Sequence, residues 1–388
     1  MIPIYQPYLC GREKEYVNAC LDSSWISSRG SFVQEFEAQF AQYIGARHAT
    51  TVCNGTVALH LALAALGIGP GDEVIVPTFT YIASVNTILQ AGATPVFADS
   101  LCDTWQIDPQ DVERKLSDRT RAVMAVHLYG LPCDMDSLTA LCDKHGIRLI
   151  EDCAEAFGTY YKGIHVGNFG DVATFSFFGN KTITTGEGGM VVARDDAVFE
   201  RGRHLKNQGV SASREYWHEE LAYNYRMTNL CAAIGLAQLE QAAEILGKKR
   251  RIAQWYREEL QGLPLILHDE VEHTTHSYWM CSVAVNSADD RDPLRAHLKA
   301  SGIETRPAFH PAHTMPHCAA QARGQYPVAE SLSARGLNLP SYPGLDHDQV
   351  HTISQAMHAF FATRSSTVEL PVPDMPVRPG PPMAHATP

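Results

Sequence analysis

From residue 52 to residue 192, short apolar runs alternate with segments that have the spacing of amphipathic helices. The apolar runs 74–76, 95–97 and 122–127 are each followed by a helical segment before the next apolar run begins. Such alternation is typical of a mostly parallel sheet with helices on both faces. The chain is therefore predicted to be an α/β protein.

The length of the chain leaves room for a second domain. With 388 residues and 45% hydrophobic content, two domains of ordinary size can each bury a core. We predict a large domain over residues 1–245 and a smaller α+β C-terminal domain over 246–363, connected by a long helical stretch over 227–262 that only Gly235 and Gly247 could break. The tail, 364–388, contains seven prolines from residue 365 onward and is predicted to be disordered.

Charge and cysteine content restrict the partners and the compartment. The formal net charge is −12 and no basic stripe interleaved with aromatic residues occurs, so no nucleic-acid partner is expected. The basic run 248–251 lies in a predicted helix and is interpreted as a solvated face. Ten cysteines without a Cys-x-x-Cys pair favour reduced thiols. No segment resembles a signal peptide or a membrane span, so a cytoplasmic protein without a membrane partner is expected.

Three local features indicate the chemistry. Lys181 follows the aromatic run 175–178, which is typical of a buried strand. Most lysines in such a position are surface residues, but Asp152 ends another apolar run, where α/β proteins bind their ligands. Residues 54–56 open a helical segment and offer unpaired N–H groups to an anion. A lysine for an imine, an acid for a pyridinium nitrogen and a helix N-terminus for a phosphate together predict a pyridoxal phosphate (PLP) site.

The two charged residues have distinct expected roles in that site. A buried Asp152 needs a cationic partner, which a protonated ring nitrogen of PLP would supply. The carboxylate would in turn keep the ring protonated and able to withdraw electrons. Lys181 would bind the cofactor covalently and then act as the base that moves a proton during transamination.

Six sequence motifs occur in a specific order: residues 53–59, 76–81, 127–130, 151–154, the Lys181 segment and 224–229. Through them, residues 4–313 resemble the DegT/DnrJ/EryC1/StrS family of PLP-dependent sugar aminotransferases. The resemblance implies the aspartate aminotransferase fold, PLP fold type I. It also implies a large domain with a mostly parallel mixed sheet.

The same resemblance implies roles for individual residues. Lys181 would carry the cofactor, Asp152 would hold its ring nitrogen and Tyr81 would stack on its ring. The phosphate contacts would be Gly55, Thr56, Ser176 and, from a neighbouring subunit, Asn224. The active site would therefore lie at the interface of a homodimer.

Three departures from the family pattern are informative. Many members have glutamine where this chain has Glu155, which is expected to contact the cofactor, and Leu131 and Cys231 also differ from the usual residues. Together with residues 25–30 and 176–189, they resemble members that aminate GDP-4-keto-6-deoxymannose at C4 with glutamate as the donor. The alternatives are a dTDP- or UDP-linked keto sugar, amination at C3, a cyclitol ketone, or a non-catalytic PLP-binding regulator.

Three further residues are candidates for substrate binding. Arg29 could bind a substrate diphosphate, because a guanidinium matches phosphate geometry. Arg306 and His310 lie in a proline-rich segment similar to one that reaches the active site in related aminotransferases. The histidines that follow His310 do not predict a metal site, since prolines favour an extended loop. His127, at a strand end, is expected to be a packed, hydrogen-bonded residue.

Overall fold

The computed structural model describes residues 1–364 of the protein. The helices are α1 (Glu13–Ser23), α2 (Ser31–Ile44), α3 (Gly55–Ala65), α4 (Ala83–Gln90), α5 (Pro109–Arg114), α6 (Met135–His145), α7 (Asp196–Lys206), α8 (Asn229–Glu240), α9 (Ala242–Glu259), α10 (Ala288–Ala300), α11 (Pro327–Arg335) and α12 (His347–Arg364). The strands are β1 (His48–Val52), β2 (Glu73–Pro77), β3 (Thr94–Ala98), β4 (Thr120–Val126), β5 (Arg148–Asp152), β6 (Tyr160–Tyr161), β7 (Ile164–His165), β8 (Val172–Ser176), β9 (Gly189–Ala193), β10 (Leu265–Leu267), β11 (Thr274–Thr275), β12 (Cys281–Val285), β13 (Arg306–Pro307) and β14 (Gly336–Leu339).

Seven of these strands form one sheet in the order β1-β9-β8-β5-β4-β2-β3. Strand β9 runs antiparallel to both of its neighbours, and the remaining pairs are parallel. The predicted mostly parallel mixed sheet is confirmed.

Helices cover both faces of this sheet. Along β4, Ala122, Met124 and Val126 face a core that contains residues of α3 and α4. Val123 and Ala125 face the opposite core, which contains residues of α5 and α6. Apolar residues on both faces of a strand are what a parallel sheet enclosed by helices requires. The predicted α/β class is confirmed.

A smaller sheet follows in the C-terminal part of the chain. Its strands are antiparallel in the order β10-β12-β14-β13, and α10 packs beside it. A third sheet joins β11, β6 and β7. The C-terminal part thus has the predicted α+β character, while the division at residues 245 and 246, which falls within α9, stays a prediction.

The long helical stretch predicted over residues 227–262 consists of two helices rather than one. The backbone leaves the helical path at Gln241 (φ −102°, ψ 8°), so that α8 and α9 are separate helices. The break allows α8 to pack on α1 and α2 while α9 packs on α12. Among residues 1–364, no helix combines the length and hydropathy needed to cross a bilayer. Apart from Arg364, the predicted disordered tail lies outside the described residues.

Candidate active site

A cleft of about 1280 Å³ opens between the carboxyl edge of the seven-stranded sheet and the four-stranded sheet. Strands β5 and β8 end there, at Asp152 and Ser176, and α3 begins there. The residues of the sequence-based site that line this cleft are Gly55, Thr56, Tyr81, Asp152, Glu155, Ser176, Lys181 and Arg306. The carboxyl edge of a parallel sheet is the usual position of a ligand site in this class of fold.

The main chain of Lys181 is fixed by a hydrogen bond, and most of its side chain is buried. Its carbonyl oxygen accepts a hydrogen bond from the Tyr5 hydroxyl at 2.6 Å, and 13% of its side chain is exposed. The Lys181 Nζ lies 4.1 Å from the centroid of the Trp279 ring. Burial lowers the pKa of Lys181 against the opposing influence of Glu155 and Asp152. A lysine with a lowered pKa has more of its amine in the nucleophilic, unprotonated form.

Asp152 is a buried carboxylate with unused capacity to accept hydrogen bonds. Its Oδ2 accepts from the Ser84 hydroxyl at 2.7 Å and its Oδ1 from the Ala154 N–H at 3.0 Å. Only 4% of the residue is exposed, and none of the described residues 1–364 places a cation within salt-bridge distance of it. A buried carboxylate in this situation is stabilised by a cationic ligand.

Glu155 is the second buried acid of the cleft. It accepts a hydrogen bond from the Tyr129 N–H at 2.8 Å, and its Oε1 lies 4.0 Å from the Lys181 Nζ. Burial raises the pKa of Glu155 to about 7, although Lys181 and the Tyr129 N–H lower it in part. Each of these two groups therefore opposes the effect of burial on the pKa of the other.

The start of α3 forms a cradle for an anion. The Asn54 side chain caps the helix by accepting the Val57 N–H at 3.0 Å, which leaves the Gly55 and Thr56 N–H groups at the open end. A Cβ atom on Gly55 would lie 2.6 Å from the Ser176 Cβ, so the close approach of α3 to β8 requires glycine. Helix N–H groups beside a serine hydroxyl suit a phosphate. With Lys181 and Asp152 in the same cleft, these residues fit PLP.

Two other residues of the sequence-based site lie at the open side of the cleft. Tyr81 is 57% exposed, with its ring centroid 5.7 Å from that of Phe309. Arg306 is exposed and donates to the Glu304 carboxylate at 2.8 Å. Both side chains are therefore accessible to a ligand that enters from solvent.

The remaining candidates lie outside this cleft in a single chain. Asn224 is exposed, and its Oδ1 accepts a hydrogen bond from the Arg226 Nε at 2.9 Å. Arg29 lines a separate cavity of about 510 Å³, which it shares with Arg203, Lys206 and Arg226. His310 is exposed and does not line either cavity.

Histidine 127 has the packed position expected of it. It is fully buried, its Nε2 lies 3.1 Å from the Glu151 carboxylate, and its Nδ1 accepts the Cys133 N–H at 3.1 Å. His127 thus contacts the scaffold beneath the cleft.

Sequence patterns did not identify several residues of the cleft, among them Tyr5, Ser84 and Trp279. Ser84 lies three residues after Tyr81, at the start of α4. Residues at this spacing lie on the same side of a helix, so the spacing could have placed Ser84 beside Tyr81 in the site. Tyr5 and Trp279 reach the cleft only through tertiary packing, because they lie far from Lys181 along the chain. No local pattern identifies them.

Comparison with known proteins agrees with this geometry. A model of the DegT/DnrJ/EryC1/StrS aminotransferase family matches residues 7–358. The chain is 54% identical to the GDP-perosamine synthase of Escherichia coli O157:H7, covering 94% of this chain and 99% of that protein. It is 56% identical to the GDP-perosamine synthase of Vibrio cholerae, covering 93% of this chain and 99% of the other.

A solved structure shares the fold. The aminotransferase TlmJ from Streptoalloteichus hindustanus superimposes with a TM-score of 0.89 at 31% identity, covering 94% of this chain and 100% of that one. The predicted PLP fold type I is therefore confirmed, and so is the dependence of this kind of enzyme on PLP. The chain belongs to the DegT/DnrJ/EryC1/StrS aminotransferase family.

Proposed function

We propose that the protein transfers an amino group from glutamate to C4 of GDP-4-keto-6-deoxymannose and so forms GDP-perosamine. The observation that carries this proposal is the identity of 54% and 56% with two proteins named GDP-perosamine synthase, over nearly the full length of each. The cleft that contains Lys181 and Asp152 supports it, because both residues are available for transamination.

Lys181 and Asp152 would perform the central steps. When bound, PLP supplies an electron sink for the charge that develops at the substrate carbon. Lys181 would hold the cofactor, which the lowered pKa of its amine favours, and the same amine would move a proton during the reaction. Asp152 would accept a hydrogen bond from the protonated ring nitrogen and hold the proton there, with Ser84 and Ala154 orienting the carboxylate.

Other residues would bind and enclose the cofactor. The N–H groups of Gly55 and Thr56, with the Ser176 hydroxyl, would hold the phosphate. Tyr81 would stack on the ring from the open side, and Glu155 would contact the ring oxygen. Trp279 walls the cleft beside the Lys181 amine, which limits the access of water to it.

We propose in addition that two copies of the chain form a homodimer in which Asn224 reaches the phosphate site of the partner. The exposure of Asn224, and its position outside the cleft of its own chain, support this arrangement. A cytoplasmic location is supported by the ten free cysteines, because persistent free thiols are typical of a reducing compartment.

Arg29, Arg306 and His310 are proposed as contacts of the nucleotide sugar. Arg306 lines the cleft, whereas Arg29 lies in the cavity with three other cationic residues. Replacing a residue that binds the sugar nucleotide equally in ground and transition states raises KM without lowering kcat. Each Ala variant is expected to raise KM for the nucleotide sugar about tenfold, which corresponds to about 1.4 kcal/mol.

The deciding experiment incubates the purified protein with GDP-4-keto-6-deoxymannose and glutamate. Mass analysis is expected to show replacement of the keto oxygen by an amine, and NMR is expected to locate that amine at C4. Lys181→Ala is expected to lower kcat about 10³-fold or more, because it removes both the covalent attachment point and the base. Lys144→Ala, at an exposed ion pair with Glu113, is the matched control and is expected to keep full activity.

A panel of dTDP- and UDP-linked keto sugars and a cyclitol ketone tests the substrate. Activity confined to one of these compounds would show that it, and not the GDP-linked keto sugar, is the substrate. If the protein binds PLP but performs no half-reaction with any amino donor, the result would favour a non-catalytic regulator.

A further inference from the structure

One lysine of the basic run 248–251 is buried, contrary to the prediction of a solvated face. Lys249 is 1% exposed, whereas the side chain of its neighbour Lys248 is 37% exposed and pairs with Glu244. Helix α9 passes between the C-terminal sheet and the N-terminal segment, so its inward face is enclosed by both. The sequence pattern identified the helix but did not reveal which of its lysines faces inward.

Within residues 1–364, Lys249 has carbonyl oxygens rather than an acid as its hydrogen-bond partners. Its Nζ donates hydrogen bonds to the carbonyl oxygens of Trp279, at 3.1 Å, and Ser341. The same Nζ lies 5.2 Å from the centroid of the Tyr5 ring. No carboxylate of residues 1–364 forms a salt bridge with it. A buried ammonium without a counter-ion costs several kcal/mol, so its stabilisation depends on the two carbonyls and the aromatic face.

Two of these three neighbours also contact the Lys181 segment. The Trp279 indole N–H donates to the carbonyl oxygen of Asn180 at 2.8 Å, and its ring lies 4.1 Å from the Lys181 Nζ. The Tyr5 hydroxyl donates to the carbonyl oxygen of Lys181 at 2.6 Å. Lys249 is therefore connected to the Lys181 segment by two separate routes.

We propose that Lys249 is a positioning residue whose ammonium holds Trp279 and Tyr5 where they fix the Lys181 main chain and cover its amine. The role of Lys181 as the reacting amine belongs to the proposed function, on which this inference rests. Lys249 itself touches neither the cleft surface nor the reacting atoms. Its effect on the reaction passes through the two aromatic residues.

The charge of Lys249 matters because hydrogen bonds from an ammonium are about twice as strong as those from a neutral donor. Burial lowers the pKa of Lys249 to about 8. The titratable groups near it are Cys281, Tyr5 and His276: burial raises the pKa of the first two and lowers that of His276 well below its usual value. In this cluster, Lys249 is thus the group that changes charge at mildly alkaline pH.

The test compares Lys249→Met, Lys249→Arg and the control Lys248→Met. Methionine fills a similar volume without an ammonium that must be desolvated, so the Met variant is expected to fold. Its kcat is expected to fall about 10- to 100-fold, the range for a misplaced catalytic group, with smaller changes in KM for glutamate and the nucleotide sugar. Arginine keeps the charge and is expected to restore part of kcat, while the control variant matches the wild type.

A second readout does not depend on turnover. Lys181 of the protein freed of cofactor is labelled with trinitrobenzenesulfonate, and the labelled peptide is quantified by mass spectrometry. Loss of the Lys249 charge is expected to expose the Lys181 amine and accelerate its labelling several-fold in the Met variant. In the wild type, labelling is expected to rise more steeply above the pKa of Lys249 than in the Arg variant, which stays charged.

The outcomes separate this proposal from the proposed function. Wild-type kcat and wild-type labelling in Lys249→Met would overturn the positioning role. If that variant fails to fold, identical pH curves for labelling of the wild type and Lys249→Arg would overturn it instead. Failure of the wild type to transaminate any keto sugar would refute the proposed function, yet the labelling result would still report on the link between Lys249 and Lys181.

Discussion

Glu151 and Glu155 are two buried glutamates four residues apart whose pKa values are shifted in opposite directions. Glu151 accepts N–H groups from Gly167, Phe169 and Gly170, at 2.7–2.8 Å, and lies 3.1 Å from the His127 Nε2. Glu155 accepts one main-chain N–H, from Tyr129.

The number of donors accounts for the difference. Burial alone would raise the pKa of Glu151, but His127 and the main-chain N–H groups outweigh that effect and lower it. Burial raises the pKa of Glu155 to about 7, because one N–H and the nearby Lys181 compensate only part of the desolvation. Burial thus raises the pKa of a carboxyl group only where the surrounding donors are too few to offset the desolvation.

The largest effect is expected from Glu151→Gln. The amide cannot accept all of the hydrogen bonds that the carboxylate accepts, so buried donors lose their partners. We expect the free energy of unfolding to fall by about 3–5 kcal/mol, measured by urea denaturation at neutral pH. Glu113→Gln, at an exposed residue, is the control and is expected to change it by less than about 1 kcal/mol. A loss for Glu151→Gln no larger than that of the control would contradict the structural role.

An intermediate effect, of opposite sign, is expected from Glu155→Gln. The folded-state pKa of Glu155 is raised, so the folded protein binds more protons than the unfolded chain between the two pKa values, and stability falls as pH rises through about 7. Glutamine does not titrate, so the variant lacks this loss of stability and is expected to be more stable than the wild type by about 3 kcal/mol above that pH.

Urea denaturation at several pH values measures the Glu155 effect, with Glu151→Gln as the matched comparison. Glu151 has a lowered folded-state pKa, so its contribution is present above the unfolded-state pKa and is lost as pH falls through the folded-state value. Parallel pH curves for the two variants would refute the contrast between the two glutamates.

The smallest effect is expected from Ser84→Ala. Asp152 would lose the donor at 2.7 Å and resemble Glu155 in having a single main-chain N–H. The loss of one hydrogen bond to a charged group, about 1–2 kcal/mol, is expected to weaken PLP binding roughly tenfold, as measured by absorbance titration. Thr87→Val is the control, because the Thr87 hydroxyl donates to carbonyl oxygens of its own helix, those of Ala83 and Ser84. Unaltered PLP affinity in Ser84→Ala would argue against the orienting role of Ser84.

The sequence predicted those parts of the site that depend on local pattern. Asp152 is the last residue of β5, and α3 begins soon after β1. Identifying these strands in the sequence therefore placed both features at the carboxyl edge of the sheet. Trp279 and Tyr5 enter the cleft from distant segments, and the number of donors around a carboxylate depends on loops such as residues 167–170. These features depend on tertiary packing, which helix and strand periodicity does not encode.

The pleat of β5 has a consequence for how this chain can vary. Glu151 and Asp152 are consecutive and point to opposite sides of the sheet, one toward the scaffold loop at Gly167 and one toward the Ser84 hydroxyl. A single inserted or deleted residue in this strand would exchange the two acids and remove both functions together. We therefore expect changes in length to be excluded from the five residues of β5 and from the residues Ala154 and Glu155 that follow it.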